Sequence, residues 1–419
     1  MSVQEKNGML AVLERETQLH EAELRFDGRR RKVGLFCGPL CALLVLLLPI
    51  AGISLAAHKL LAIVTLISLW WITEPIPIPI TSLLGPTLAV LMGVVPVGTA
   101  FAAFANPMIF LFMGGFMLAK AMMLHGLDRR FAFGLLSMSW VGSDPVRIML
   151  AIGLASALCS GWVSNTATAA MMFPIAIGLL EAIREMMAAN GKEINLSQYK
   201  YATGLMLMTA YAASIGGVLT PIGTPPSLIM LGFLGQMAGL HGSFFDWMVW
   251  GGAAMVLYFL IACFFLHRMF PADVRRIEGA EGFIAERLRE LGPWTRGQKN
   301  TLLAFLTAVT LWVLPGILSL LLGADSPVLK LYNQLFPESV VAIFGGLLLF
   351  FLPVDRKAGQ YTLSWREAAD GIEWGTLILF GGGLAMGGMM YKTGLSQWVG
   401  DLLVTSLGGE PSEVVMVAV

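Results

Sequence analysis

Ser160-Gly161-Trp162-Val163-Ser164-Asn165-Thr166-Ala167-Thr168-Ala169-Ala170-Met171-Met172-Phe173-Pro174 places a polar knot inside strongly apolar sequence. No Asp, Glu, Lys, Arg or His occurs from Ile148 to Leu180. Unsatisfied polar groups in lipid cost several kcal/mol, so Ser164, Asn165 and Thr166 must face protein, water or a ligand. Successive side chains on one helix diverge by about 100° and do not converge on one ion. At the tip of a broken hairpin they converge, together with freed backbone groups. The stretch is therefore the best candidate in the chain for a small-ion site. Residues 146–190 hold too much apolar sequence for one span and predict a re-entrant hairpin that enters and leaves on one side.

The surrounding chain supports a membrane reading. Its 419 residues are 57% hydrophobic and 13% charged, against about 25% charged in soluble domains. The mean hydropathy is +0.75, and runs of 18 or more apolar residues recur. This predicts an all-α polytopic membrane protein. The formal net charge of zero gives no basis for a nucleic-acid partner. Cys37, Cys41, Cys159 and Cys263 lie in apolar segments without metal-ligand spacing and read as packing residues. A membrane-embedded enzyme would need a His-Glu metal motif or a polar dyad, and the sequence offers neither.

Arg29-Arg30-Arg31-Lys32 precedes the first apolar run and places the N-terminus in the cytoplasm by the positive-inside rule. The expected organisation is a cytoplasmic segment 1–33, a first span 34–57, a first repeat 58–270, a linker 271–300 and a second repeat 301–419. Further spans fall at about 58–72, 79–97, 104–125, 203–235 (interrupted), 245–269, 301–323, 338–354 and 374–392. Counting the hairpin as no crossing puts Asp128-Arg129-Arg130, the linker and Asp355-Arg356-Lys357 all inside. Residues 273–292 read as an amphipathic helix in a solvated linker between the halves. Glu74 and Glu338 fall at expected helix ends and read as interfacial or N-terminal charges rather than proton carriers.

The halves are related by an internal repeat. Leu111-Phe112-Met113-Gly114-Gly115, running on to His125-Gly126-Leu127, recurs as Leu379-Phe380-Gly381-Gly382-Gly383, running on to Thr393-Gly394-Leu395. The offset is 268 residues, and five crossings separate the copies. An odd count inverts the second copy, the architecture of secondary transporters with sites at broken helices near the midplane. The same offset places the partner of Ser164-Asn165-Thr166 at 432–434, beyond Val419. The second repeat is therefore expected to be incomplete, and the chain reads as a fragment rather than a naturally truncated copy.

A second break reads Gly216-Gly217-Val218-Leu219-Thr220-Pro221-Ile222-Gly223-Thr224-Pro225-Pro226-Ser227. Proline removes amide donors and clashes with helical carbonyls, while glycine loosens the backbone. Three prolines within six residues must unwind the span. Unwound carbonyls suit a cation such as Na+, and the N-terminus of the next half-helix suits an anion.

Ser164-Asn165-Thr166-Ala167-Thr168, Gly223-Thr224-Pro225-Pro226 and Trp71-Ile72-Thr73-Glu74-Pro75-Ile76-Pro77 together resemble the divalent-anion:sodium symporter family. The resemblance runs from about residue 34 to 403, and the motifs in this order are highly specific. It implies a dimeric carrier for dicarboxylate, citrate or sulfate, with a scaffold, a transport domain and an elevator motion. By position it implies a sodium site of Ser160, Ser164, Asn165 and the Gly223 carbonyl. It also implies that Asn165 and Thr166 contact the anion, with Thr224 and Pro225 nearby. A dianion held without Arg needs Na+ beside it, so the two bind cooperatively. Ser227 stands where the family usually has Asn, which bears on substrate preference more than on mechanism.

The expected function is sodium-coupled uptake of a succinate-, malate- or citrate-type anion across the inner cell membrane. The alternatives are a sodium-independent anion exchanger or sulfate carrier of the same fold, and an incomplete, non-transporting fragment.

Overall fold

The computed structural model describes residues 3–189, 194–196, 198–234, 242–323 and 325–406. In chain order its first helices are α1 (Val3–Leu47), α2 (Leu55–Thr73), α3 (Ile78–Leu91), α4 (Val97–Phe101), α5 (Pro107–Leu124) and α6 (Leu127–Leu136). Then come α7 (Pro145–Ser160), α8 (Asn165–Ala189), α9 (Lys200–Gly216), α10 (Pro225–Phe233), α11 (Phe244–Met269) and α12 (Ala280–Glu290). The last are α13 (Arg296–Leu322), α14 (Pro327–Leu335), α15 (Glu338–Phe351), α16 (Trp365–Gly371), α17 (Trp374–Thr393) and α18 (Leu395–Ser406). A short two-stranded antiparallel hairpin, β1 (Pro353–Asp355) with β2 (Gln360–Tyr361), follows α15.

Among the described residues five helical segments are long and apolar enough to cross a membrane, and the pair α14–α15, bent by 51°, makes a sixth. Large apolar side chains stand outward on them, such as Trp250, Phe264 and Leu321, as a lipid solvent allows. The protein is an all-α polytopic membrane protein.

Boundaries follow local chemistry. Asp144 caps α7, its Oδ1 accepting from the amides of Val146 (2.8 Å) and Arg147 (3.1 Å), and Pro145 stands at the first helical position, where no amide is missed. Ser243 with Asp246 and Thr295 with Gln298 form capping boxes at α11 and α13. The first helix departs from expectation at both ends. It continues through the charged segment and stops at Leu47 rather than near residue 57, because Pro49, Gly52 (φ +85°) and the N-cap Ser54 turn the chain into α2. The Trp70 indole donates to the Gly34 carbonyl (2.9 Å) and ties the two helices together.

The chain forms two compact units, residues 1–106 with 374–419, and residues 107–373. These boundaries do not follow the expected halves, because helices of one half pack with helices of the other. In the first unit Gly382 of α17 lies against the backbone of Ser82 in α3; a Cβ there would come within 2.5 Å of the Ser82 carbonyl oxygen. In the second unit Gly114 of α5 lies equally close to the backbone of Ala342 in α15. Such small-residue contacts are how membrane helices approach closely without a hydrophobic driving force. The turns that end α5 and α17 also correspond: Gly126 (φ +66°) and Gly394 (φ +78°) both take the left-handed conformation that glycine favours. The expected second hairpin lies outside the described residues.

The core of the second unit gathers α7, α8 and α9 through Ile152, Leu179, Leu205 and Met208, all fully buried. The linker joins this core. Residues 280–290 are helical, and Ile277, Ala280 and Ile284 are buried against it. The Phe283 ring packs on Gly178 of α8, and the Arg130 guanidinium bonds the carbonyls of Leu291 and Gly292 (both 2.8 Å). A solvated linker is thus replaced by a docked one. Its apolar stripe finds a protein face in place of lipid.

Asp128, in the first turn of α6, is 5% exposed, and burial pushes its carboxyl above the ordinary value despite the Arg129 amide and charge. A carboxyl raised in this way stabilises the fold while protonated and loses that contribution as pH rises through its folded pKa. Asp128→Asn keeps an oxygen for the Arg129 amide and removes the charge. In detergent its Tm is expected to exceed that of the wild type by about 2 °C at pH 8 and by less at pH 5. An equal gain at both pH values would refute burial of the charge as the cause.

Candidate functional site

The second unit brings the two broken segments together. Gly161 to Ser164 form a four-residue turn between α7 and α8, and Gly217 to Thr224 separate α9 from α10. Helices α7 (145–160) and α8 (165–189) flank the first turn. The Ser160 hydroxyl donates to Asn165 Oδ1 (2.6 Å) across the turn. The Thr220 hydroxyl reaches over from the other break and donates to the Gly161 carbonyl. The Asn165 carboxamide lies on the bare backbone of Gly217, with Cγ 3.1 Å from where a Cβ would be.

Gly223 sits where carbonyls converge. A Cβ on it would lie 2.6 Å from the Gly217 oxygen, 2.9 Å from the Gly161 oxygen and 3.0 Å from the Ser160 oxygen. The glycine is needed for space and not for backbone conformation, since its φ is not positive. The result is a cradle of neutral oxygens from both breaks, with a carboxamide oxygen and a serine hydroxyl beside it. Hard cations take such oxygen ligands, so these residues fit an ion of the Na+ type. No cluster of three or more His, Cys, Asp or Glu occurs among the described residues, and the donors here are carbonyl, amide and hydroxyl groups.

The remaining expected residues are placed as follows. Ser164 caps α8, its Oγ accepting from the Ala167 amide (3.4 Å) and its carbonyl from the Thr168 amide (2.9 Å). Thr166 is exposed on the first turn of α8. Thr224 is the N-cap of α10 in extended conformation (φ −149°), and Pro225 and Pro226 fill the first two helical positions. The structure thus brings Ser160, Asn165 and Gly223 together and sets Ser164 on the cap. Thr166, Thr224 and Pro225 stand at the two half-helix starts.

Those two starts are unequal. The first amides of a helix lack helical acceptors and point at a bound anion. In α10 two of these amides are replaced by proline nitrogens, and the Ser227 amide bonds the Thr224 carbonyl (3.2 Å). In α8 the first two residues are Asn165 and Thr166, each with its amide and a polar side chain. The α8 terminus is therefore the stronger hydrogen-bond donor toward an anion.

Sequence reasoning did not single out Gly161, Gly217 and Thr220 as site residues. Their contribution is backbone oxygen and one hydroxyl, and only the meeting of two breaks about 60 residues apart reveals it. It also missed α11, where the Trp247 indole donates to the Val218 carbonyl (3.0 Å) and holds the second break.

Comparison with known proteins points the same way. The model of the family described as sodium:sulfate symporter transmembrane region matches residues 31–419. A sodium-dependent dicarboxylate transporter, SdcS, of Staphylococcus saprophyticus is 35% identical over 389 residues, covering 92% of this chain and 72% of that protein. The protein of the same name from Staphylococcus aureus strain USA300 is 33% identical over 392 residues, with the same coverage. The chain belongs to the sodium:sulfate symporter family.

Proposed function

We propose that this chain is a secondary active transporter, not an enzyme, that couples Na+ to the uptake of a di- or tricarboxylate of the succinate, malate or citrate type. The observation that carries this reading is the cradle at Gly223, where carbonyls of Ser160, Gly161 and Gly217 meet beside Asn165. Its membership of a sodium symporter family and its likeness to transporters named for sodium and dicarboxylate supply the ion and the substrate class.

In this reading Ser160, Asn165 and the carbonyls around Gly223 hold Na+, with Ser164 fixing the turn. Na+ supplies the positive charge that offsets a dianion in a site without Arg. Asn165 and Thr166 present the α8 amides and their side chains to one carboxylate, and Thr224 with Pro225 bounds the pocket on the α10 side. Asn165 touches both ligands, so ordering it for one lowers the cost of binding the other. That is the coupling a symporter requires.

The hairpin is read as re-entrant, and the fold as an inverted repeat whose hairpin and broken helix move as an elevator in a homodimer. The paired contacts Gly114 on Ala342 and Gly382 on Ser82, with glycines 268 residues apart, support the repeat. So do the matching left-handed glycines 126 and 394. The basic run at residues 29–32 supports a cytoplasmic N-terminus in the inner cell membrane.

A second reading, with sulfate as the anion, is favoured by the family's description. In liposomes holding the intact transporter, replacing external NaCl with choline chloride is expected to abolish radiolabelled succinate uptake. Unchanged uptake would overturn sodium coupling. Sulfate uptake that succinate fails to inhibit would replace the carboxylate assignment with the second reading.

A further inference from the structure

Glu338 opens α15 and lies far from the polar knot in sequence, yet three contacts lead from it to both breaks. Its carboxylate accepts the backbone amide of Phe244, the first residue of α11. Its own carbonyl accepts the Trp312 indole of α13 (3.1 Å). Between those two bonds the Phe244 ring stacks on Trp312, centroids 4.5 Å apart and planes 12° apart. Phe244 also stacks with Trp162, in the turn between α7 and α8, at 6.3 Å and 24°. Trp162 in turn meets Phe305 of α13 edge-on at 5.0 Å.

One turn further along α11, Trp247 bonds the Val218 carbonyl in the second break, and Gly251 packs its bare backbone on that same carbonyl. The first two turns of α11 therefore brace both broken segments at once. A carboxylate is suited to fix that brace. It stands at the N-terminal ends of two helices, its own and α11, where backbone dipoles favour negative charge.

We infer that Glu338 is a positioning residue for the cation cradle, acting through the Phe244 amide and the Trp162–Phe244–Trp312 stack to hold the two breaks in register. The inference rests on the sodium-coupled reading above. Loss of the acceptor leaves a buried amide unpaired, frees the first turn of α11 and lets the hairpin turn drift from Gly223.

The test compares wild type, Glu338→Ala and Glu338→Gln in the intact transporter with two readouts. The first is the Na+ concentration that gives half-maximal succinate uptake. The second is the maleimide labelling rate of Val163→Cys, with the native cysteines replaced by alanine. Val163 is buried beside Trp162 and lies outside the cradle. In Glu338→Ala the half-saturating Na+ concentration is expected to rise about tenfold, and labelling to quicken about as much, the scale of one lost buried hydrogen bond. Glu338→Gln, which keeps an oxygen for the Phe244 amide, is expected to stay within about threefold of wild type on both.

A purely structural role would lower the amount of folded protein and the maximal rate, and leave the half-saturating Na+ concentration unchanged. That result overturns the inference, as does a Glu338→Gln variant as impaired as Glu338→Ala. A wild type without sodium-driven uptake would refute the transport reading instead. The labelling comparison would then still decide whether Glu338 holds the hairpin turn.

Discussion

Gly223→Ala is expected to reduce sodium-driven uptake by at least about 100-fold while the protein still reaches the membrane. The added methyl would lie 2.6–3.0 Å from the carbonyl oxygens of Gly217, Gly161 and Ser160, where a carbon has no room. All three neighbours are backbone, so none can swing aside as a flexible side chain would. Overpacking of this kind costs about 1–3 kcal/mol in a folded core, which a polytopic helical protein tolerates. At an ion site the consequence is larger, because the methyl displaces the three carbonyl oxygens that would hold the ion. Gly134→Ala is the control: a Cβ there meets nothing within 4 Å, and uptake is expected to stay at the wild-type level. Sodium-dependent uptake retained in Gly223→Ala would show that the cradle is not the ion site.

Asn165→Ala is expected to abolish sodium-driven uptake, again with near-normal expression. The variant removes the acceptor of the Ser160 hydroxyl and the group that lies on Gly217, so the two breaks lose a side chain that bridges them and keep only bridges such as Thr220 on the Gly161 carbonyl. A single buried hydrogen bond contributes about 1 kcal/mol to folding, too little to unfold the chain. The same residue serves cation and anion in the proposed site, so neither ligand is held well. Asn165→Asp separates the two roles. It keeps an oxygen toward the cation and adds a charge that repels the anion. Thermal stabilisation by NaCl over choline chloride is expected to survive in Asn165→Asp and to vanish in Asn165→Ala, while succinate uptake is lost in both. Uptake that persists in Asn165→Ala would remove this residue from the site.

The breaks were legible because they are local. A run such as Thr220-Pro221-Ile222-Gly223-Thr224-Pro225-Pro226 fails to form a helix wherever it is put, and Ser164-Asn165-Thr166 is costly in lipid whatever surrounds it. The start of α7 is local for the same reason: Asp144-Pro145 starts a helix by its own chemistry. The docked linker was not legible. Ile277, Ala280 and Ile284 form an apolar stripe that suits lipid or protein equally, and only the presence of Gly178 and α6 beside it decides between them.

The same ambiguity runs through every spanning helix. In water an apolar face must turn inward, so periodicity reveals the core. In lipid both faces are apolar, and α11 carries fully buried Phe244 and 77% exposed Trp250 within two turns. No pattern in the sequence marks the first as the brace of the site and the second as lipid-facing. The sequence by itself determined the membrane class, the places where helices must break and the polar groups available there. Only the tertiary structure decided which carbonyls meet at Gly223 and that Glu338 reaches Phe244 across 94 residues. Those meetings depend on the close approach of helices at small residues, which is fixed by packing among distant segments rather than by any local signal.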